Sequence, residues 1–515
     1  MNRRKFLRNS ALTTVPVMLN GLSLRAVPFP FLTGSGPDND RVLVLIQLNG
    51  GNDGLNCVIP LDQYSALSAV RSNILIPENN VLPIETGLGF HPSMAKLQEM
   101  YLDGKVGVVQ GVGYPNQDRS HFRSTDIWTS GSEASEYLST GWLGRYFYDG
   151  HPAYPEGYPN ADYDAPFALT MGSLVSETCQ GPLTNYSLAL NDPFALAPLS
   201  EGEIGNLPDN NYGKELRFLI DAIAQTNAYS GVILDAAEGG NNQVAYPADN
   251  RLATQLKNVA LLIAGGLKTK VYICSLGGFD THSGQVDTDT TQGDHATLLQ
   301  QLSEAVSLFQ QDLKLAGKDE KVLMMTFSEF GRQIRSNDSM GTDHGSAAPL
   351  FLFGSCVKPG VLGENAQISV EADPQEGVAM QYDFRSVYAT VLKDWIGLDE
   401  TTIFEILNPE VQFLPLIDGC SISTAIQQEV FADVHFKLYP NPASQYTTME
   451  WLSTGQAWSA TLFDKWGHQI VSWTGQKGSK QLTSQRVNLP AVPAGHYYVH
   501  LRQGNQSVTK GLAII

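Results

Sequence analysis

With 515 residues the chain exceeds what one hydrophobic core usually organises, so a large domain carrying at least one further module is expected. A hydrophobic fraction of 42 %, with 20 Tyr and 21 Phe, excludes a disordered chain. A net charge of −19 excludes nucleic acid as the partner, because a phosphate backbone requires a basic surface.

The chain opens Met1-Asn2-Arg3-Arg4-Lys5-Phe6-Leu7-Arg8, followed by a modestly apolar stretch over 11–24 that Pro16 and Asn20 interrupt. Residues 1–26 read as a signal peptide, since the stretch is too short and too weakly apolar to anchor the chain. Arg-Arg-Lys-Phe-Leu-Arg resembles the twin-arginine consensus, which implies the twin-arginine translocase as a partner and export of an already folded protein. Folding before export suits a chain that acquires a metal in the cytoplasm. No later segment has the roughly 18 consecutive apolar residues of a spanning helix, so no transmembrane segment is expected.

Over 38–420 apolar runs of strand length alternate with helical patterns, the rhythm of a mostly parallel sheet sandwiched by helices. Strands are predicted at 42–48, 105–110, 271–276 and 322–327. Helices are predicted at 92–102, 216–227, 250–265 and 296–315, the last with Leu298, Leu302, Ala305, Phe309 and Leu313 on one face. The Pro-, Gly-, Asn- and Tyr-rich segment 150–211 reads as an insertion of long loops. Cys57, Cys179, Cys274, Cys356 and Cys420 are scattered and form no Cys-x-x-Cys pair, which leaves room for one disulfide but argues against a thiolate metal site.

Ligands of open parallel sheets gather where strands end, so the polar residues directly after the predicted strands carry the chemistry. These are Asn49-Gly50-Gly51-Asn52-Asp53-Gly54-Leu55-Asn56, then Phe279-Asp280-Thr281-His282, then Ser328-Glu329-Phe330-Gly331-Arg332, with Asp343-His344 a little further on. Asp and neutral His at strand ends suit a divalent ion such as zinc or manganese. The segment Arg119-Ser120-His121-Phe122-Arg123-Ser124-Thr125-Asp126-Ile127-Trp128 supplies a candidate nucleophile in Ser120 or Thr125, activated by a metal or by His121, while Arg123 and Arg332 are candidate clamps for an oxyanion. Ser120 equally suits the cap of a helix with surface arginines behind it.

Over roughly 40–410 these motifs resemble the family known as domain of unknown function 1501, grouped with the alkaline phosphatase and sulfatase fold. The resemblance implies an alkaline phosphatase-like α/β domain, with Asp53, Asp280, His282, Asp343 and His344 as ligands of one or two divalent ions (zinc, manganese or calcium) and Ser120 as the nearest candidate nucleophile. His121, Arg123 and Arg332 are catalytic candidates from their chemistry alone, and Glu329, in a motif with no obvious role in the wider group, is a candidate ligand or base. No His lies between His344 and His435, where the wider group supplies another ligand, so either His121 or His295 substitutes or the site holds one metal or none. A Cys-x-Pro-x-Arg signature is absent, which removes a formylglycine nucleophile.

After a linker at 421–434, the texture of 435–515 changes to short alternating strands, at 447–451, 460–463 and 469–473 among others, of a small immunoglobulin-like β-sandwich. Leu438-Tyr439-Pro440-Asn441-Pro442-Ala443, Leu462-Phe463-Asp464 with Trp466-Gly467, and Gly495-His496-Tyr497-Tyr498-Val499 resemble the C-terminal sorting domain of type IX secretion substrates. That resemblance implies the type IX secretion machinery as a partner and a secreted or cell-surface destination reached through the periplasm. Two functions are therefore expected: a metal-dependent hydrolase of phosphate or sulfate esters, or a non-catalytic surface protein that binds a glycan or protein partner.

Overall fold

The computed structural model describes residues 39–195, 208, 210–407, 410–418 and 420, a strand pair at Met18–Leu19 and Leu22–Ser23, and residues 436–453, 457–463, 469–476, 482–503 and 506–514. Apart from that strand pair, the signal-peptide region lies outside the described residues, as do the linker and the Asp464 and Trp466-Gly467 motif positions. The chain divides into two compact units, 1–422 and 423–515.

The first unit is built on a nine-stranded sheet. Its principal strands are β1 (Val42–Asn49), β2 (Val106–Gly113), β3 (Ala168–Met171), β4 (Ser187–Leu190), β5 (Val271–Gly277), β6 (Val322–Phe327), β7 (Ala348–Phe353) and β8 (Gly360–Leu362). They run in the order β8-β2-β7-β6-β1-β5-β3-β4, and Tyr382–Asp383 adds to β2. Every pairing is parallel except those of β7, which is antiparallel to both β6 and β2.

Period-two alternation in β1 feeds two cores. Val42, Val44, Ile46 and Leu48 face a layer holding α1 (Ala95–Leu102) and the helices Arg251–Ala264 and Asp294–Leu315. Leu43 and Leu45 face the other, where α2 (His121–Ser130) contributes Ile127 and Trp128 and the helix Phe384–Thr390 contributes Phe384 and Tyr388. A strand buried on both faces has no polar side to show, which is why residues 42–46 of β1 read as an unbroken apolar run.

The predicted strands and the helices at 250–265 and 296–315 are present within a residue or two at most ends, whereas the pattern at 216–227 belongs to a longer helix, Asn211–Gly239. The segment 150–211 departs from its reading as loops alone, since β3 and β4 lie inside it and extend one side of the sheet. Cys356 and Cys420 form a disulfide, with Cys57, Cys179 and Cys274 buried and free.

The second unit has a three-stranded sheet (Lys437–Tyr439, Tyr446–Leu452, Leu482–Asn488) and a four-stranded one (Gln469–Gly475, Trp458–Phe463, Gly495–Gln503, Gln506–Ile514), antiparallel throughout. Inward residues of both sheets, among them Met449, Trp451, Leu462, Val499 and Leu512, form one core.

Candidate metal centre

Because β5, β1 and β6 are parallel and in register, Gly277 beside Asn49 and Phe327 beside Gln47, their following loops emerge together at one edge of the sheet. Gly50, at φ +122°, allows the first loop to run against the second: a Cβ there would lie 2.2 Å from the Asp280 amide nitrogen. Arg332 fastens the loops to each other. Fully buried, it donates from Nε to the Gly51 carbonyl at 2.8 Å and from its terminal nitrogens to Thr342 at 2.9 Å, Phe279 at 2.9 Å, Gly50, and Asp280 Oδ1 at 2.7 Å. A guanidinium so committed to backbone carbonyls braces the site and has no free fork for an oxyanion.

Three imidazoles surround Asp280. His121, the first residue of α2, has Nδ1 2.8 Å from Glu329 Oε1 and Nε2 3.4 Å from Asp280 Oδ2. His344 has Nδ1 2.8 Å from the Arg119 carbonyl and Nε2 3.1 Å from Asp280 Oδ1. His282 has Nδ1 2.6 Å from Asp343 Oδ1 and Nε2 3.1 Å from Asp280 Oδ1. The His344 ring centroid lies 4.4 Å from that of His121 and 4.7 Å from that of His282.

His121, Asp280 and His344 each place a ligand atom within 4.8 Å of the others. His121 Nε2 is buried without a hydrogen-bond partner, an orphan that a cation among these groups would satisfy. Imidazole nitrogens with one carboxylate are a donor set that fits a divalent transition ion.

Burial by itself would raise the Asp280 carboxyl, but the Arg332 guanidinium outweighs it and the pKa is held at about 2, so it is an anion. Desolvation lowers the His344 pKa, against the pull of Asp280, and so favours the neutral ring. Glu329 is buried; its Oε1 accepts from the Gly50 amide at 2.8 Å as well as facing His121. A carboxylate behind an imidazole fixes which ring nitrogen carries the proton.

The other expected residues lie differently. Asp53 is 1 % exposed, and its oxygens are held by Arg71 at 2.9 and 3.1 Å, Gln285 at 2.6 Å and the Leu55 amide at 3.2 Å. Although burial would raise its pKa, Arg71 leads the groups that pull it down. It is half of a buried ion pair and not one of the convergent groups. Asp343 lies behind His282, its Oδ1 also taking a 3.3 Å bond from Asn337. Arg123 pairs with Asp126, donates to the Ala134 carbonyl at 3.0 Å and stacks over Tyr137, so it organises the loop after α2. Ser120 is the exposed N-cap residue of α2, but its hydroxyl makes no capping bond.

Arg71 and Gln285 carry no sequence motif and were not anticipated; an isolated Arg in a helix-to-loop stretch gives no sign that it will meet an Asp 18 positions away. His295 is buried against Asn52 at 2.9 Å and takes no part in the cluster. A separate cavity of about 510 Å³, lined among others by Phe147, Tyr163, Lys270 and Trp395, lies at the opposite edge, where Val42 and Val271 begin β1 and β5.

Residues 236–408 match the family described as protein of unknown function (DUF1501), and residues 437–515 match the secretion system C-terminal sorting domain. The motifs at 49–56 and 119–122 lie before the first match. The sorting-domain match marks the chain for export to the cell surface or beyond, and no helix among the described residues is long and apolar enough to cross a membrane. No curated protein matches the chain.

Among solved structures it is similar to the lipoteichoic acid synthase LtaP from Listeria monocytogenes (8 % identity, 73 % of this chain and 76 % of that one, TM-score 0.31). It is also similar to a protein in the alkaline phosphatase superfamily from Vibrio parahaemolyticus (10 %, 89 % and 85 %, TM-score 0.32). A third such structure is the PsFucS1 sulfatase from Pseudoalteromonas sp. (9 %, 88 % and 84 %, TM-score 0.31).

Proposed function

We propose that the protein acts outside the cell as a metal-dependent hydrolase of phosphate or sulfate esters. The observation that carries this reading is the convergence of His121, His282 and His344 on an ionised, half-exposed Asp280 at the carboxyl edge of the sheet. A divalent ion held there supplies a Lewis acid for a phosphoryl or sulfuryl oxygen.

The chain's own groups do the rest. Asp280 with the imidazole nitrogens binds, Glu329, Asp343 and the Arg119 carbonyl orient the rings, and Arg332 keeps the loops in place. Ser120, exposed beside His121 and making no capping bond, is the side-chain nucleophile within this reading. The twin-arginine signal and the sorting domain give the route, by the twin-arginine translocase to the periplasm and by the type IX machinery across the outer membrane.

Turnover of aryl phosphates and aryl sulfates by the full chain, with added zinc or manganese, tests the reading. Asp280→Ala and His344→Ala are expected to abolish it, and turnover that survives both would overturn it. One observation favours a binding protein instead: Arg123 and Arg332 are both committed internally, so neither offers an anionic ester a guanidinium fork. Saturable glycan binding without hydrolysis of any ester would establish that alternative.

A further inference from the structure

Resting on the metal-dependent reading above, we infer that the site takes a single ion through Nε2 of His121, His282 and His344 and one carboxylate, Asp280, and that it selects an imidazole-preferring transition ion such as zinc over calcium or magnesium. Each ring has its Nδ1 against an acceptor with no hydrogen to give: the Glu329 carboxylate at 2.8 Å, the Asp343 carboxylate at 2.6 Å and the Arg119 carbonyl at 2.8 Å. A neutral imidazole has one N–H, so donation from Nδ1 leaves the lone pair on Nε2. Those three Nε2 atoms are the ones that face Asp280.

His282 Nε2 and His344 Nε2 stand only 2.9 Å apart. Two lone pairs at that distance repel unless a cation lies between them. This adds His282, a ligand the family resemblance also implies, to the group formed by His121, Asp280 and His344.

The inventory of carboxylates sets the number of ions and their kind. Asp343 and Glu329 are turned to ring N–H groups, and Asp53 is tied to Arg71, a permanent positive charge 2.9 Å away that opposes a second cation. Only Asp280 remains to face the imidazoles, and its Oδ1 is shared with Arg332. Calcium needs six to eight oxygen ligands and magnesium prefers oxygen in an octahedron, so a site with one free carboxylate suits neither. Three neutral nitrogens suit zinc, cobalt and their neighbours.

The test uses the full chain stripped of metal and reloaded with cobalt(II) or zinc(II), and reads binding, not activity. Titration followed by elemental analysis is expected to give one ion per chain. The cobalt(II) protein in water is expected to show three exchangeable, paramagnetically shifted imidazole N–H resonances, one for each Nδ1–H. Calcium or magnesium in 100-fold excess should not displace the ion. Glu329→Gln should weaken binding by about 10–100-fold as an orienting carboxylate is lost, and His282→Ala should weaken it further.

Asp53→Asn should leave one ion bound; if that variant does not fold, the resonance count on the unaltered chain decides. Two ions per chain, a count other than three, or displacement by calcium would each overturn the inference. Absence of any bound ion would overturn both it and the hydrolase reading. One ion with three resonances but no ester turnover would leave the inference standing and remove hydrolysis alone.

Discussion

Asp53 and Arg71 meet at 2.9 Å with side chains 1 % and 0 % exposed, and the guanidinium also donates to the Ile334 and Gln333 carbonyls at 2.8 and 2.7 Å. Removing one partner strands a desolvated charge, so Arg71→Met is expected to lower unfolding free energy by about 3–5 kcal/mol in a urea titration. The sequence placed Asp53 at a strand end, where ligands gather, and this was correct for its position but silent about its neighbour. A residue's type and place are readable from the chain, whereas the charge that faces it is supplied by another element. Asp280 and His344 are legible for the opposite reason: each sits in a short polar motif next to a strand and has few apolar alternatives.

At the scale of elements, caps that look alike differ in what they do. Asn250 caps its helix by accepting from the Ala253 amide at 3.0 Å and also donates to the Gln301 carbonyl at 2.9 Å, while the Ser120 hydroxyl at the start of α2 accepts nothing from its helix. Asn250→Ala is therefore expected to cost about 1–2 kcal/mol and Ser120→Ala under about 0.5 kcal/mol, measured as shifts in denaturant midpoint. If Ser120→Ala abolished ester turnover at unchanged stability, its role would be chemical. The long helices and central strands were legible because their apolar period persists over many residues. β3 and β4 were not, since four-residue strands set among Pro, Gly and Tyr carry too few positions for a period to emerge, and β7 is antiparallel through tertiary pairing alone.

For the molecule as a whole, stability should fall in mild acid. Burial lowers the pKa of His295 to about 4, and burial with the neighbouring His295 lowers that of His91 to about 3, both from an ordinary 6.5. The unfolded chain then takes up protons that the folded one refuses. Stability from these groups is complete above about pH 6.5 and is lost as pH falls toward 4. Between pH 6.5 and 5 the loss is on the order of 2 kcal/mol or more, and a His295→Gln variant should show a shallower decline in chemical denaturation. The Cys356–Cys420 disulfide closes a loop of sequence separation 64, so its reduction should cost about 4 kcal/mol if chain entropy dominates, read from unfolding with and without reductant.

The sequence by itself determined the α/β rhythm, the resemblance of its C-terminal segment to a sorting domain and the strand-end Asp and His motifs, because each is written in residues close together in the chain. Only the tertiary structure decided that His121, His282 and His344 converge on Asp280, that Glu329 and Asp343 stand behind two of them, and that Arg71 claims Asp53. Those roles depend on which loops the parallel register of β1, β5 and β6 brings to one edge, and on distances of a few ångströms between residues as many as 282 positions apart, as Arg332 and Gly50 are. Local pattern encodes which side chains a loop carries, but whether a carboxylate meets a ring nitrogen, a guanidinium or an ion is set by what the rest of the fold packs against it.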